Sequence, residues 1–129
     1  MRILIAAVTV AMLAGCATSP ISADKADPVP KDRFYAFGGA SDSELVVTRD
    51  SGFSGSGCKL RFHIDGKAAA DFYSGEVARF GVTQGHHVLA VEPVGICGGS
   101  GIYEAEVTVV KGESVRRRIS GVSVYPTTF

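Results

Sequence analysis

The segment 58–65 alternates without a fault. Cys58, Leu60, Phe62 and Ile64 point one way; Lys59, Arg61, His63 and Asp65 point the other. Successive side chains on a strand face opposite sides of a sheet, so this pattern specifies a strand with one face buried and one in water. Asp65-Gly66 after it is a hairpin-turn signal. The same period of two recurs. Residues 44–49 are apolar and β-branched, 68–73 and 76–82 are short strand candidates, and 87–94 is another with Pro93 near its end. In 103–110, Tyr103, Ala105, Val107 and Val109 oppose Glu104, Glu106 and Thr108; 114–120 and 122–125 complete the series. The turn signals that separate these runs predict an all-β fold, an antiparallel β-sandwich of seven to eight short strands. Only Ala68-Ala69-Ala70 could hide a helical turn. The high glycine count and the lack of tryptophan fit a turn-rich β domain.

The first residues follow a different logic. Arg2 gives a positive start, 3–13 is an apolar run broken only by Thr9, and Ala14 and Gly15 are small residues before Cys16. This is the anatomy of a secretory signal. Its apolar core is too short to cross a hydrocarbon layer of ~30 Å as a helix. Leu13-Ala14-Gly15-Cys16 resembles the lipobox of bacterial lipoproteins. The resemblance implies a diacylglyceryl group on the Cys16 thiol, cleavage before Cys16, and acylation (palmitate or a similar chain) of the new amino group. More than one acyl chain makes such an anchor stable. Ala17 rather than Asp after the cysteine implies, by the same resemblance, the outer membrane facing the periplasm rather than the inner membrane.

The expected organisation is therefore a signal peptide at 1–15, a lipidated flexible tether at 16–43 and a β-sandwich domain at 44–129. The tether is read from its small, polar residues with Pro20, Pro28 and Pro30; the aromatics Phe34, Tyr35 and Phe37 could dock on the domain. About 114 mature residues suffice for one domain. The precursor has 13 basic and 13 acidic side chains, so no field is large enough to favour nucleic acid. With Cys16 assigned to lipid, Cys58 and Cys97 form an even pair in an oxidising compartment, and a disulfide is expected.

Phe62-His63-Ile64-Asp65-Gly66-Lys67, Gly75-Glu76, Phe80-Gly81-Val82 and Gly85-His86-His87-Val88 through Val91 together resemble a PEGA-type or DUF2846-type β-sandwich module. The run from Thr48 to Cys58, with Ile96-Cys97-Gly98-Gly99, is similar to a group of small proteobacterial lipoproteins. The resemblance implies an Ig-like or PEGA-like sandwich and no catalysis.

The candidate chemistry is thin. His86 and His87 are adjacent, so on a strand they point apart and do not share an ion. With His63 they read as solvated strand residues, and no zinc set is completed. Ser54 and Ser56 are not followed by a helix, as a nucleophile elbow requires. The loop 50–57 could cradle an anion through backbone N–H groups but lacks the Gly-Lys-Ser/Thr ending of a phosphate loop. Arg116-Arg117-Arg118 reads as a solvated strand whose charges discourage edge pairing, with Arg117 turned partly inward toward a carboxylate such as Glu92. No cofactor, metal or enzymatic activity is expected.

The expected function is a non-enzymatic envelope lipoprotein, bound to a membrane through its lipid, whose sandwich binds or supports another envelope component, protein or glycan. The alternative is a small-ligand or carbohydrate-binding module using the Gly-rich loops. A Cys58–Cys97 bond would bring loops 50–57 and 95–101 to one end. There it either prevents fraying alone or supports a partner-binding rim of Arg49, Asp50, Phe53 and Tyr103.

Overall fold

The computed structural model describes residues 18–52 and 57–129. The signal segment, Cys16 and Phe53 lie outside the described residues. The fold is all-β, with eleven strands among the described residues rather than seven to eight. In chain order they are β1 (Thr18–Ser19), β2 (Asp27–Pro28), β3 (Ser43–Arg49), β4 (Ser51–Gly52), β5 (Lys59–Ile64), β6 (Lys67–Phe72), β7 (Glu76–Val82), β8 (Gly85–Val94), β9 (Tyr103–Val109), β10 (Ser114–Ser120) and β11 (Ser123–Pro126). The three additional strands, β1, β2 and β4, are two residues long, too short to carry a period.

Two sheets face each other. One has the order β11-β10-β3-β7-β2, the other β6-β5-β8-β9, and β1 and β4 form a separate two-stranded ribbon. Most pairings are antiparallel, as expected, but β10 runs parallel to β3 with Val115 opposite Leu45 and Ile119 opposite Arg49. Val110–Glu113 carries the chain from β9 across to the other sheet, so β10 enters beside the start of β3 and runs with it. β2 is likewise parallel to β7.

The alternation in 58–65 becomes the core. Leu60, Phe62 and Ile64 are buried while Lys59, Arg61 and His63 remain partly exposed. From the other sheet, Leu45, Val47, Phe80 and Ile119 close over them. Phe62 stacks on Phe80 with ring centroids 5.6 Å apart and meets Phe72 edge-on at 6.0 Å. Such aromatic pairs contribute about 0.5–1.5 kcal/mol beyond their area. The hairpin after β5 turns through Asp65 and Gly66, with φ of 51° and 78°. These left-handed values match the right-handed twist of the flanking strands, which is why Asp-Gly serves there.

The segment expected as a tether lies against the sandwich over much of its length. Asp27 N–H donates to Gly75 O at 3.0 Å and Val29 N–H to Val77 O at 2.9 Å. Ala23 and Ala26 bury against Val46 and Val77 on the outer face of the five-stranded sheet. Farther along, Tyr35 N–H donates to Ala69 O at 2.8 Å, and the Phe34 ring stacks on Phe80 at 5.2 Å. Small residues permit this close approach, and the prolines lie where no donor is needed.

Candidate functional site

Strand register places the two cysteine-bearing loops at one end of the sandwich. Lys59 at the start of β5 is opposite Val94 at the end of β8, and Leu60 is opposite Phe72 at the end of β6. In the facing sheet, Arg49 at the end of β3 is opposite Ile119 near the end of β10. The Cys58–Cys97 disulfide closes this end, with Cα atoms 5.6 Å apart across a separation of 39 residues.

Arg49 ties the sheets together beneath the bond. It is only 6% exposed. Its guanidinium donates to the carbonyl oxygen of Cys58 and, at 2.8 Å, to that of Phe72. Burial pushes its pKa below the ordinary arginine value, and the nearby Glu76 charge opposes that shift. Asp50 follows in the chain and is also buried. Its N–H donates to Ile119 O at 2.9 Å, and its Oδ2 lies 3.5 Å from Arg118 Nη1. The Asp50 carbonyl accepts from Ser74 Oγ at 2.9 Å. Tyr103 stands apart, 41% exposed, with its hydroxyl donating to Ser100 O at 3.1 Å. The structure thus brings Arg49 and Asp50 together as internal braces and leaves Tyr103 on the surface at the start of β9. A cleft of about 310 Å³ opens beside the disulfide, lined by Arg49, Cys58, Leu60, Pro93, Cys97 and Val122 among others.

The same end receives the start of the described chain. Thr18 pairs with Gly52 and Ser19 with Ser51. At this end too, Ile96 stands 97% exposed in the short turn Gly95–Cys97.

A second constellation, missed in the sequence reading, lies where Lys31–Arg33 and the residues after it meet β6. Asp71 has no exposed surface, yet it carries a carboxylate. Arg61 donates to both its oxygens at 2.9 and 3.1 Å, the Tyr35 hydroxyl donates to Oδ2, and Lys59 Nζ is 3.8 Å away. Burial alone would raise the Asp71 pKa; the Arg61 and Tyr35 hydrogen bonds and the cationic charges outweigh it and hold the carboxyl low. Tyr35 is pushed up, by burial first and then by the Asp71 hydrogen bond and charge. Arg33 makes a bidentate pair with Glu76 at 3.0 and 2.9 Å and also donates to Asp71 O at 3.0 Å. Lys59 and Arg61 were visible on the polar face of β5, but their partner lies across a hairpin containing a bulge. Only the out-of-place acid in the small apolar run 68–72 signalled it.

Two expectations about individual side chains are corrected. His87 is not a solvated residue: it is buried between Asp65 Oδ2 at 2.6 Å and Thr83 O at 2.7 Å. His63 is mostly covered and pairs with Glu92 at 3.0 Å; His86 alone stays open, 3.6 Å from Glu106. Arg117 does not reach Glu92, which His63 occupies. Its guanidinium donates to Arg116 O at 2.9 Å, and burial lowers its pKa. Among the described residues, no cluster of three or more His, Cys, Asp and Glu is arranged to hold a metal.

No family model matches the chain. Neither a curated protein nor a solved structure matches it at a significant level.

Proposed function

We propose that this chain is a non-enzymatic lipoprotein of the bacterial cell envelope. Lipid on Cys16 tethers it to a membrane, the outer membrane facing the periplasm, and its β-sandwich binds or supports another envelope component. The observation that carries this reading is Leu13-Ala14-Gly15-Cys16 at the end of an apolar run that begins after Arg2. The Cys58–Cys97 bond supports an oxidising compartment. The polar groups with displaced pKa values support display rather than catalysis, because Asp71, His87 and Arg49 are each held in pairs that join one segment of the fold to another.

Metabolic labelling with an alkyne fatty acid tests the anchor. Wild-type protein takes up label and appears at its processed mass. Cys16→Ala takes up none and accumulates as precursor. Equal labelling of the two overturns the assignment.

One observation favours the second reading, a small-ligand or carbohydrate module. The cleft beside Cys58 and Cys97 has, at about 310 Å³, the volume of a small-molecule site. Titration of the unlipidated domain with envelope-derived oligosaccharides, read by NMR at Leu60 and Val122, decides it. Saturable shifts there support the module, and unmoved resonances reject it.

A further inference from the structure

We propose that the disulfide end of the sandwich rests directly in the headgroup region of the bilayer, with Ile96 inserted. This rests on the lipid attachment at Cys16 proposed above. The argument begins with chain length. Thr18 is already paired to Gly52 in the ribbon of β1 and β4. Cys16 lies two positions before it, and two residues of extended chain reach at most ~7 Å. A lipid on Cys16 therefore holds this end of the fold at the membrane surface, without the long spacer the proline-rich composition implied.

The end that is held down has the right chemistry. The connections at 73–75, 95–102 and 120–122 contain no charged side chain. They present Ile96 almost fully to the outside, together with the exposed Tyr73, whose ring carries the Arg33 guanidinium 4.7 Å from its centre, and Tyr103 is exposed at the adjoining start of β9. Tyrosine suits a boundary where its ring is in apolar surroundings and its hydroxyl is wet. The opposite end is different: its turns carry Asp42, Asp65, Lys111 and Glu113, with Lys67 at the adjoining start of β6. A tip whose connections are uncharged and whose flanking Arg33 is paired with Glu76, set beside the anchor against a charged tip far from it, orients the molecule on a bilayer. Attraction to anionic headgroups is not needed, so the docking is insensitive to salt, unlike contacts made by surface charges.

The sequence contains no tryptophan, so one introduced indole reports alone. Ile96→Trp places it on the docking tip, and Lys111→Trp places it on an exposed turn at the other end. Each variant is purified with its acyl groups, confirmed by intact mass, and reconstituted in phosphatidylethanolamine–phosphatidylglycerol vesicles containing doxyl-labelled lipid. The indole of the Ile96→Trp protein should emit at shorter wavelength and be quenched several-fold more strongly than that of the Lys111→Trp protein. Equal quenching in protein of the acylated mass overturns the docking while leaving the anchor intact. A blue shift in the Ile96→Trp protein without quenching also overturns it, since another protein surface, such as a second copy, then covers the tip. Protein recovered without acyl mass overturns the anchor, and the docking with it.

Discussion

His87 shows how much a single side chain can depend on its two neighbours. Both ring nitrogens face acceptors, a carboxylate oxygen of Asp65 and the carbonyl of Thr83. Only the doubly protonated imidazolium can donate to both. Burial by itself would lower the His87 pKa, but the Asp65 and Thr83 hydrogen bonds and the Asp65 charge raise it above 6.5. Asp65 is held low in turn, against its own desolvation, by His87 and by the Val88 N–H. A histidine whose folded pKa is raised contributes stability that is fully present below its unfolded pKa. That contribution is lost as pH rises through the folded value. The stability advantage of wild type over His87→Gln should therefore shrink as pH is raised from about 6 to 9. Thermal unfolding across that range checks this, and an advantage that holds constant contradicts it. NMR titration should also place the His87 midpoint above the ordinary histidine value. The sequence showed that the two histidines point apart. It did not show the clamp, because Asp65 lies in a turn 22 residues away and only the pairing of β5 with β8 brings them together.

At the level of elements, legibility followed length. The eight strands of four or more residues were all visible as period-two or apolar runs, because burial on one face leaves a pattern that repeats. The two-residue strands leave none. The small, polar stretch containing Ala23, Ala26 and Val29 has no apolar period, yet those three residues bury. It packs by small size and backbone hydrogen bonds rather than by an apolar stripe. Gly81 marks one such close approach. A Cβ there would sit 2.0 Å from the carbonyl oxygen of Gly39, while the Gly81 N–H donates to Phe37 O at 2.8 Å. The clash is with backbone and cannot be relieved by a rotamer. Gly81→Ala should destabilise the protein by about 1–3 kcal/mol, the usual cost of overpacking. It should also expose 37–41 to protease before the sheets themselves unfold. Denaturant titration with limited proteolysis measures both, and a variant as stable and as resistant as wild type refutes the packing role.

For the whole molecule, the disulfide is the main covalent constraint. It closes a loop of 39 residues between two glycine-rich connections. Cys58→Ser or Cys97→Ser should cost about 2–5 kcal/mol, read as a lowered denaturant midpoint relative to oxidised wild type. Free thiols in protein taken directly from cells without reduction would refute the pairing. This end was legible as a place where two loops converge, because the cysteines and glycines announce it. The roles within it were less so. Arg49 and Asp50 looked like a rim from their position beside the loop, but each is an internal brace, because the two sheets meet there and their open carbonyls need donors.

The strap formed by Thr18 to Phe37 has a consequence for the order of assembly. It is made before its partners: Arg33 waits for Glu76, 43 residues on, and Thr18 waits for Gly52. Closing such wide loops before their partners are fixed is entropically unfavourable. The strap therefore completes its contacts only once β4 and β7 have been made and placed.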